Sequence, residues 1–530
     1  MIKYNTQVLV VGGSIGGTLA ALSAAKENKN VVLTEETDWI GGQLTSQGVP
    51  PDEHQWIEET GCTDTYRQFR NRVRQYYKDN YPLNENALND SKLNPGEAWV
   101  SRLSHEPKVA LKVLEDMLAP YINSGRITLI KHVKPVNCIL ENDTIKTVDF
   151  KSVFTEKELS VSFDVVVDAT ECGDLLPLAH VDYVLGSEGR SQTGEQNAPE
   201  DSNSQDMQSF TYVFGVDYIE NGDFTIEKPE DYDFWRNYIP PYHFNSLLDW
   251  RVGHENDESS VQTFALFPNK QEKPALFTYR RAFSKALLKD PVYEGDVSLI
   301  NWPQNDYFLG SIIDVSEKEK NKHIKQSKQL SLSLLYWLQT EAPREGGSKG
   351  YPELRLRKDL FDTEDGLAKY PYIRESRRIK SLYTIKEEDV SIESRKSDGI
   401  KEYEDSVGVG SYHLDLHTTT QSKRSMYIPT YPYEIPLKSL IPVKVTNLIA
   451  GCKNIGTTHI TNGCYRLHPT EWNIGEVAGY LSSYMIDKQL TAQKVARSTE
   501  ATQLFQQLIS EQGVQLHWPD SVKQEVLKSD

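Results

Sequence analysis

The chain has 530 residues, with 58 Lys and Arg against 76 Asp and Glu, which gives a formal net charge of −18. A charge of this sign repels nucleic acid and anionic membrane surfaces, so we expect neither as a partner. It does not exclude a locally basic pocket for an anionic small molecule. The length suits two to four domain-sized units with room for a buried cofactor, and no uninterrupted apolar span is long enough to cross a bilayer.

Cysteine usage indicates a reducing compartment. The five cysteines are odd in number, and no Cys-x-x-Cys pair or Cys/His zinc spacing occurs. We therefore expect reduced thiols, no bound metal and a cytoplasmic location. The apolar run at 8–25, with Lys3 ahead of it, could also be interpreted as a secretion signal, but glycines interrupt it.

Residues 8–35 have the order strand, glycine turn, helix, strand and acid that a dinucleotide-binding βαβ unit requires. Gly12 permits a tight turn, Ser14 stands where a second glycine is usual, and Gly17 lets the helix pack close to the strand. The helix N-terminus offers N–H groups and a positive dipole end to phosphates. Glu35 follows at the distance where a carboxylate binds ribose hydroxyls. A tight turn in another kind of α/β sheet is the alternative.

Three later pieces point to the same site. The paired glycines of 41–45 let backbone approach a flat or charged ligand. The β-branched run at 164–170 ends in Asp-Ala-Thr and predicts a buried parallel strand that ends beside a bound nucleotide, with a core strand and a capped helix as the alternative. A strand at 447–450 precedes Gly451–Gly456 and a helix that we expect to begin near Thr470. Between these pieces we predict a helix over 107–122 and short strands at 126–130, 136–139, 147–150 and 159–163.

The middle of the chain differs in character. Residues 186–209 are polar and predict a long exposed loop, and 210–433 carry short strand-like pieces with a helix at 326–339. Strand alternation over 370–378 would place Arg374, Ser376 and Arg378 on one face. Alternation over 410–417 would do the same for His413, Asp415 and His417. This spacing could be a metal-binding arm, but no third ligand cluster is evident, and packing or surface roles are the alternative for both pieces.

These pieces in this order resemble the glutathione-reductase-like FAD-dependent oxidoreductases. More narrowly, they resemble the bacterial group labelled FAD-dependent oxidoreductase or xanthan lyase. The resemblance implies an α/β fold: a Rossmann-like FAD-binding domain of the glutathione-reductase type, an inserted α+β substrate or cap domain, and a helical C-terminal appendage. The implied boundaries are 1–185 and 436–487 for the two parts of the FAD-binding domain, 210–435 for the substrate domain and 488–530 for the appendage. The resemblance rests on residues 10–17, 35–45, 168–174, 372–378, 450–455, 466–469 and 475–479.

The resemblance also implies noncovalent FAD in an extended pose. The glycine turn would bind the diphosphate, Glu35 the adenosine ribose, and the paired-glycine segment the ribityl chain and flavin. The helix near Gly475 would direct N–H groups at the flavin pyrimidine edge, where a positive dipole end stabilises reduced flavin. The expected cofactor-binding residues are Gly12, Ser14, Ile15, Gly16, Gly17, Glu35, Gly42, Gln43, Leu44, Ala169, Thr170, Asp174, Asn454, Gly475, Val477 and Ala478.

We expect an enzyme that oxidises a small polar substrate at a C–OH or C–N bond by hydride transfer. Such a reaction needs a base, for which His459, His468 and His417 are the candidates, and Arg466 or Arg374 could bind a carboxylate or polarise a carbonyl. A reductase or desaturase acting on a C=C or C–C bond, a flavoprotein monooxygenase, and a non-enzymatic flavin scaffold are the alternatives. The substrate, the electron acceptor and the oligomeric state are left open.

Overall fold

The structure is a computed structural model that describes residues 2–243, 245–253, 261–269, 273–290 and 295–528. Residues 244, 254–260, 270–272 and 291–294 of the predicted substrate domain lie outside the described residues. Its centre is a five-stranded parallel sheet built from distant parts of the chain. Four of the strands are largely apolar and almost wholly buried, as expected for a parallel sheet covered on both faces, whereas the edge strand Ile127–Lys131 is only partly buried. In spatial order they are Leu448–Ala450, Val165–Asp168, Val8–Val11, Val31–Glu35 and Ile127–Lys131.

Two helices pack face to face on this sheet. The helix Ile15–Lys26 follows the glycine turn, and the helix His468–Lys488 crosses it. A Cβ atom on Gly475 would lie 2.1 Å from the Gly16 carbonyl oxygen, and one on Gly479 would lie 2.2 Å from the Ala20 carbonyl oxygen. The late glycines are therefore the contact surface between the two helices. The helix begins at His468, so Gly475 lies about two turns inside it.

A second sheet and two long helices complete this half of the molecule. The predicted meander exists, and two of its strands, Val133–Glu141 and Thr144–Ser152, are longer than the sequence pattern indicates because polar residues lie at their ends. The helix Pro107–Asn123 begins with proline in its first turn, where no backbone donor is lost. The sheet contains Ile2–Asn5, Glu158–Ser162, Thr144–Ser152 and Val133–Glu141, and the other long helix is Asp64–Asn80.

The middle of the chain has a hydrophobic core of its own. Its centre is an antiparallel sheet covered by the 24-residue helix Glu317–Thr340, of which the predicted 326–339 is the buried part. A capping box between Ser316 and Glu319 begins this helix about two turns before its first apolar residue, Ile324, which explains the missed start. The sheet order is Arg281–Phe283, Val297–Ile300, Phe214–Tyr218 and Leu354–Leu356.

The predicted exposed loop at 186–209 is anchored, because its polar residues bond to other segments. Glu195 is buried and accepts a 2.6 Å hydrogen bond from Thr458 Oγ1. Asp206 accepts bonds of 2.9 Å from the amides of Gln421 and Ser422. The loop also contains the short helix Arg190–Thr193. A polar sequence therefore forms an interior segment here, since its partners lie far along the chain.

The two strand-like pieces are shorter than expected. Only Arg378–Ile379 of the first is a strand, paired with Tyr183–Val184, and Leu414–Leu416 of the second pairs with Met426–Ile428. No helix among the described residues combines the length and the apolar composition that a membrane crossing requires. The remaining strands are Ser406–Gly410, Tyr433–Pro436, Arg251–Val252 and Gln262–Thr263, and the remaining α-helices are Glu85–Asn89, Leu175–Leu178, Tyr232–Asn237, Leu276–Tyr279, Ile392–Arg395, His459–Tyr465, Ala492–Arg497, Thr499–Glu511 and Asp520–Lys528.

The helix contact gives a stability prediction. Gly479→Ala places a methyl group against the Ala20 backbone, which cannot rotate away, so we expect a loss of about 1–3 kcal/mol in the free energy of unfolding. Ser483→Ala, one turn later, removes only a hydroxyl bonded to its own helix and serves as the control. Thermal unfolding followed by circular dichroism measures both variants. Equal midpoints for the two would contradict the close contact.

Candidate functional site

The glycine turn presents two buried amides with no acceptor. Gly12 has φ +94°, and a Cβ atom there would lie 2.5 Å from the Ala169 carbonyl oxygen. Ser14 caps the helix Ile15–Lys26, and its Oγ accepts a 3.1 Å bond from the Gly17 amide. The amides of Ser14 and Ile15 have no hydrogen-bond acceptor among the described residues. At the positive end of a helix, these two groups are available to an anion.

Two carboxyls, the buried Asp168 and the partly buried Glu35, shape the same edge of the sheet. Glu35 accepts bonds from the Gly13 amide (2.8 Å) and from the amide and hydroxyl of Thr37 (2.7 Å each). Asp168 accepts from the amide (3.1 Å) and hydroxyl (2.8 Å) of Thr170. Burial raises the pKa of Glu35 and of Asp168 to about 7, against the opposing effect of these bonds. Both turns are therefore held by groups that titrate near neutral pH.

A narrow cavity of about 40 Å³ runs along this edge. It brings together predicted cofactor residues from four separate segments, with Glu36 and Tyr370 completing part of the wall. Ala169 forms the floor of the turn beside Gly12. The predicted residues in the lining are Gly12, Ser14, Glu35, Gly42, Ala169, Thr170 and Asp174.

The paired-glycine segment lies against the start of the late helix. Gly42–Leu44 forms a 3₁₀ turn after Gly41, which has φ +98°. The side-chain amide of Gln43 donates to the Arg466 carbonyl at 2.9 Å and to the Glu471 carboxylate. The first turn of the helix His468–Lys488, and not Gly475, is therefore the part of this helix that adjoins the predicted flavin segment.

The other predicted residues of the late segments are placed differently. Asn454 donates from Nδ2 to the Asp168 carbonyl (3.0 Å) and accepts from the Cys452 amide (3.2 Å), so its side chain joins two strand ends. Gly475 and its neighbours Val477 and Ala478 are fully buried inside the helix. They contribute to the site indirectly, because they let the helices Ile15–Lys26 and His468–Lys488 pack closely against each other.

Sequence reasoning missed a buried charged cluster beside the glycine turn. Lys453 has a fully buried side chain, contacts the Glu171 carboxylate closely and lies 3.4 Å from Glu471 Oε2. Glu471 Oε1 accepts from the Gly16 amide at 3.2 Å. Burial raises the pKa of Glu171. Burial also opposes ionisation of Glu471, but Lys453 and the hydrogen bonds from Cys452, Gly16 and Gln43 together outweigh it and lower the pKa of Glu471. The only available signal was that Glu171 and Lys453 each follow a strand of the parallel sheet closely.

A second cavity, of about 600 Å³, lies on the side of the middle region. His417 lines it together with Asp306 and Asp415, and the rings of Tyr242 and Tyr427 form part of its wall. His417 Nδ1 lies 2.6 Å from Asp306 Oδ2, and its Nε2 lies 3.4 Å from Asp415 Oδ2. Burial and Arg374 oppose protonation of His417, but the two carboxylates outweigh them and raise its pKa.

The two predicted arginines support this cavity. Arg374 Nη2 donates to Asp306 Oδ1 at 2.8 Å, so it holds the carboxylate that bonds to His417. Arg466 donates from Nη1 to the Tyr372 hydroxyl (2.7 Å) and from Nη2 to the Asp415 carbonyl (3.1 Å). Because Gln43 bonds to the Arg466 carbonyl, Arg466 links the wall of the large cavity to the paired-glycine segment.

The other two histidines lie elsewhere. His459 Nδ1 is 2.9 Å from Glu375 Oε1, which also contacts Arg378. His468 accepts from the Asp52 amide (3.1 Å) and bonds through Nε2 to the Val49 carbonyl (3.1 Å), and burial lowers its pKa to about 4. Neither lines the large cavity. Among the described residues, no group of three His, Cys, Asp or Glu side chains is arranged to hold a metal ion.

A family model described as FAD dependent oxidoreductase matches residues 7–510. The chain belongs to this family. It is an FAD-dependent enzyme with an α/β FAD-binding fold, and the resemblance of its motifs to this family is confirmed. The two free amides of Ser14 and Ile15 at the helix N-terminus fit the diphosphate of FAD. No curated protein sequence matches the chain significantly.

Several solved structures are similar to parts or most of the chain. L-proline dehydrogenase from P. horikoshii is 13% identical over 35% of this chain and 24% of its own, with a TM-score of 0.19. A geranylgeranyl bacteriochlorophyll reductase-like protein from Thermoplasma acidophilum is 11% identical over 97% of this chain and 85% of its own, with a TM-score of 0.31. A myxobacterial chondrochloren halogenase is 10% identical over 96% and 82%, also at 0.31. Because all these TM-scores are low, the assignment rests on the family model.

The neutral, buried His468 gives a prediction of pH-dependent stability. The pKa of His468 is about 4 in the native chain and an ordinary 6.5 in the unfolded chain. As the pH falls from 6.5 towards 4, the unfolded chain therefore binds a proton at this histidine and the native chain does not. This removes up to about 3 kcal/mol of stability. His468→Asn lacks the effect, so its deficit relative to the wild type shrinks between pH 7 and pH 5.

Denaturant unfolding at the two pH values measures this difference, and other titrating groups cancel in it. The exposed His180 is the matched control, because its φ of +52° suits asparagine equally well. A deficit for His468→Asn that is the same at both pH values would contradict the neutral, buried state.

Proposed function

We propose that the enzyme oxidises a small polar substrate at a C–OH or C–N bond in the 600 Å³ cavity, with His417 as the proton acceptor. The observation that carries the proposal is the 2.6 Å contact between His417 Nδ1 and Asp306 Oδ2. A buried carboxylate that accepts from one imidazole nitrogen leaves the lone pair of the other available as a base. The proposed architecture is a glutathione-reductase-type FAD domain that carries the middle region as an inserted substrate domain.

The chain's own residues would act as follows. Asp306 accepts a hydrogen bond from His417 Nδ1 and fixes the imidazole. Arg374 and Thr211 Oγ1 (2.6 Å) donate to Asp306 and keep it oriented and ionised. His417 Nε2 takes the hydroxyl or ammonium proton of the substrate as the C=O or C=N bond forms. Bound FAD supplies the two-electron acceptor for the hydride. The resulting imidazolium lies between Asp306 and Asp415, which stabilise its charge.

The cavity wall supports a small substrate with polar groups and an apolar face. Tyr242, Tyr427 and Met426 provide apolar surface, while Asp415 and His417 lie at the polar end. This proposal includes a cytoplasmic location and no nucleic acid or membrane partner. The C-terminal helices are a candidate contact for a homo-oligomer.

Anaerobic reduction tests the reaction type. The purified protein is mixed without oxygen with series of polyols, sugars, amines and amino alcohols, and the visible flavin absorbance is followed. Bleaching by one series supports substrate oxidation. Turnover that instead requires both oxygen and an external reductant would favour a monooxygenase and contradict the proposal.

The role of His417 gives a pH prediction. A base must be unprotonated, and the pKa of His417 is raised, so we expect kcat/KM to increase with pH through a limb above the ordinary histidine value. His417→Asn should lower kcat by about 10²–10⁴-fold and abolish this limb. Asp306→Asn should move the limb to lower pH, because the group that stabilises the imidazolium is lost.

His132→Asn is the control, since His132 does not line the large cavity and its φ of +63° suits asparagine equally well. It should leave the pH profile unchanged. Retention of the limb in His417→Asn would assign the base to another residue.

A further inference from the structure

Glu171 lies in front of the two free amides of the glycine turn. A Cβ atom on Gly42 would be 2.4 Å from Glu171 Oε1, 3.0 Å from Ser14 Cα and 3.3 Å from the Ile15 nitrogen. The carboxylate and the amide therefore flank the same point in space. An anion bound by the helix N-terminus would therefore lie close to the Glu171 carboxylate, beside the narrow cavity that Glu171 lines together with Ser14 and Gly42.

The charge of the cluster is unbalanced. Glu171 and Glu471 contribute two negative charges when ionised, and Lys453 contributes one positive charge. Buried lysines are rare unless paired, and a buried pair is weak evidence for a purely stabilising role. Two phosphate charges brought beside two carboxylates in a poorly solvated site would repel both. For a diphosphate to bind here, one of the two carboxylates must become neutral, or Lys453 must turn from a carboxylate to the phosphate.

Glu171 is the group suited to change. Its carboxylate faces the anion position, whereas Glu471 is held by the Gly16 amide and by Gln43. Burial raises the pKa of Glu171 already without a ligand. Burial raises the pKa of Cys172, Tyr370 and Cys452, which adjoin Glu171, so these three groups stay neutral. Glu35, Glu36 and Asp174 line the same cavity, and burial raises the pKa of Glu35 and Glu36 as well, so the comparison with Glu171→Gln is what assigns the proton to Glu171.

We propose that Lys453 is a ligand of the FAD diphosphate, and that Glu171 releases Lys453 and takes up a proton when the diphosphate binds. Lys453 exchanges one carboxylate partner for phosphate and keeps Glu471 as the other. FAD binding is then coupled to protonation and weakens as the pH rises, because the bound chain holds one proton more than the free chain. No substrate is involved, so the outcome is independent of the reaction proposed above.

The first test uses the wild-type chain and needs no variant. Flavin is removed from the full-length protein, and FAD binding is measured by titration calorimetry in two buffers of different ionisation enthalpy. We expect uptake of up to one proton per FAD, and a Kd that rises by up to about tenfold per pH unit over part of the range from about pH 6 to pH 9. ADP-ribose, which carries the diphosphate but no flavin, should show the same uptake. Binding of both ligands without proton uptake at any pH in this range would overturn the proposal.

Two variants separate the roles. Lys453→Met should raise the Kd for FAD by about 10- to 100-fold, as expected for loss of a charge-assisted bond to phosphate. Glu171→Gln should bind FAD more tightly than the wild type at high pH and show no pH dependence. Flavin fluorescence measures both constants, and circular dichroism confirms folding.

Matched controls come from residues in or next to the same two helices. Lys29 is a buried lysine paired with Asp487 just beyond the first helix, and Lys29→Met should leave the Kd unchanged. Glu476 is a buried carboxyl bonded to Thr65 at 2.6 Å, and Glu476→Gln should keep the pH dependence. The proposal is overturned if Lys453→Met binds FAD as tightly as Lys29→Met, or if Glu171→Gln keeps the wild-type pH dependence.

Discussion

The close approach of two helices through glycine is the constraint on which the site depends. The helix Ile15–Lys26 and the helix His468–Lys488 are separated by more than four hundred residues, yet Gly475 and Gly16 meet backbone to backbone. Any side chain at Gly475 would push the late helix away from the glycine turn. Glu471, in the first turn of the late helix, would then lose its hydrogen bonds from the Gly16 amide and from the Gln43 side chain.

This contact joins an early and a late segment of the chain into one cradle. The parallel sheet already places the ends of the strands Val8–Val11, Val165–Asp168 and Leu448–Ala450 at one edge. The helix pair then adds charged residues from the late segment to a turn that by itself offers only amides. The middle region reaches the same place through Arg466, which contacts Tyr372 and Asp415 on one side and Gln43 on the other. Hydrogen bonds thus connect the wall of the large cavity to the glycine turn.

The sequence predicted the central sheet and the glycine turn well because their signals are local. A turn that needs positive φ or close backbone approach admits only glycine, and buried parallel strands are continuous apolar runs. The role of Gly475 could not be predicted in the same way. A glycine in a helix is equally compatible with a ligand and with a second backbone, and only the position of Gly16 decides between them.

The residue types of the site could be predicted from the sequence, but their interaction partners could not. Histidines and arginines were recognised as candidates, but the structure separates His417 at a cavity from His468 with both ring nitrogens bonded. Charges such as Glu171 and Lys453 look like surface residues in a sequence. Their pairing spans 282 positions and exists only because the strands that precede them are neighbours in the sheet.

The electrostatics of the two cavities differ, although both lie in a chain of net charge −18. Around the large cavity, Asp306 and Asp415 are balanced by Arg374 and Arg466, so a neutral His417 leaves the group without net charge. When His417 gains a proton, its positive charge lies between two carboxylates, which stabilise it while the base holds the proton. Around the glycine turn, two carboxylates oppose one lysine, and the imbalance is relieved only by a proton or by a change of partners. The net charge of the chain therefore does not predict the charge at either site, since each site depends on buried or partly buried ion pairs that dissolved salt screens only weakly.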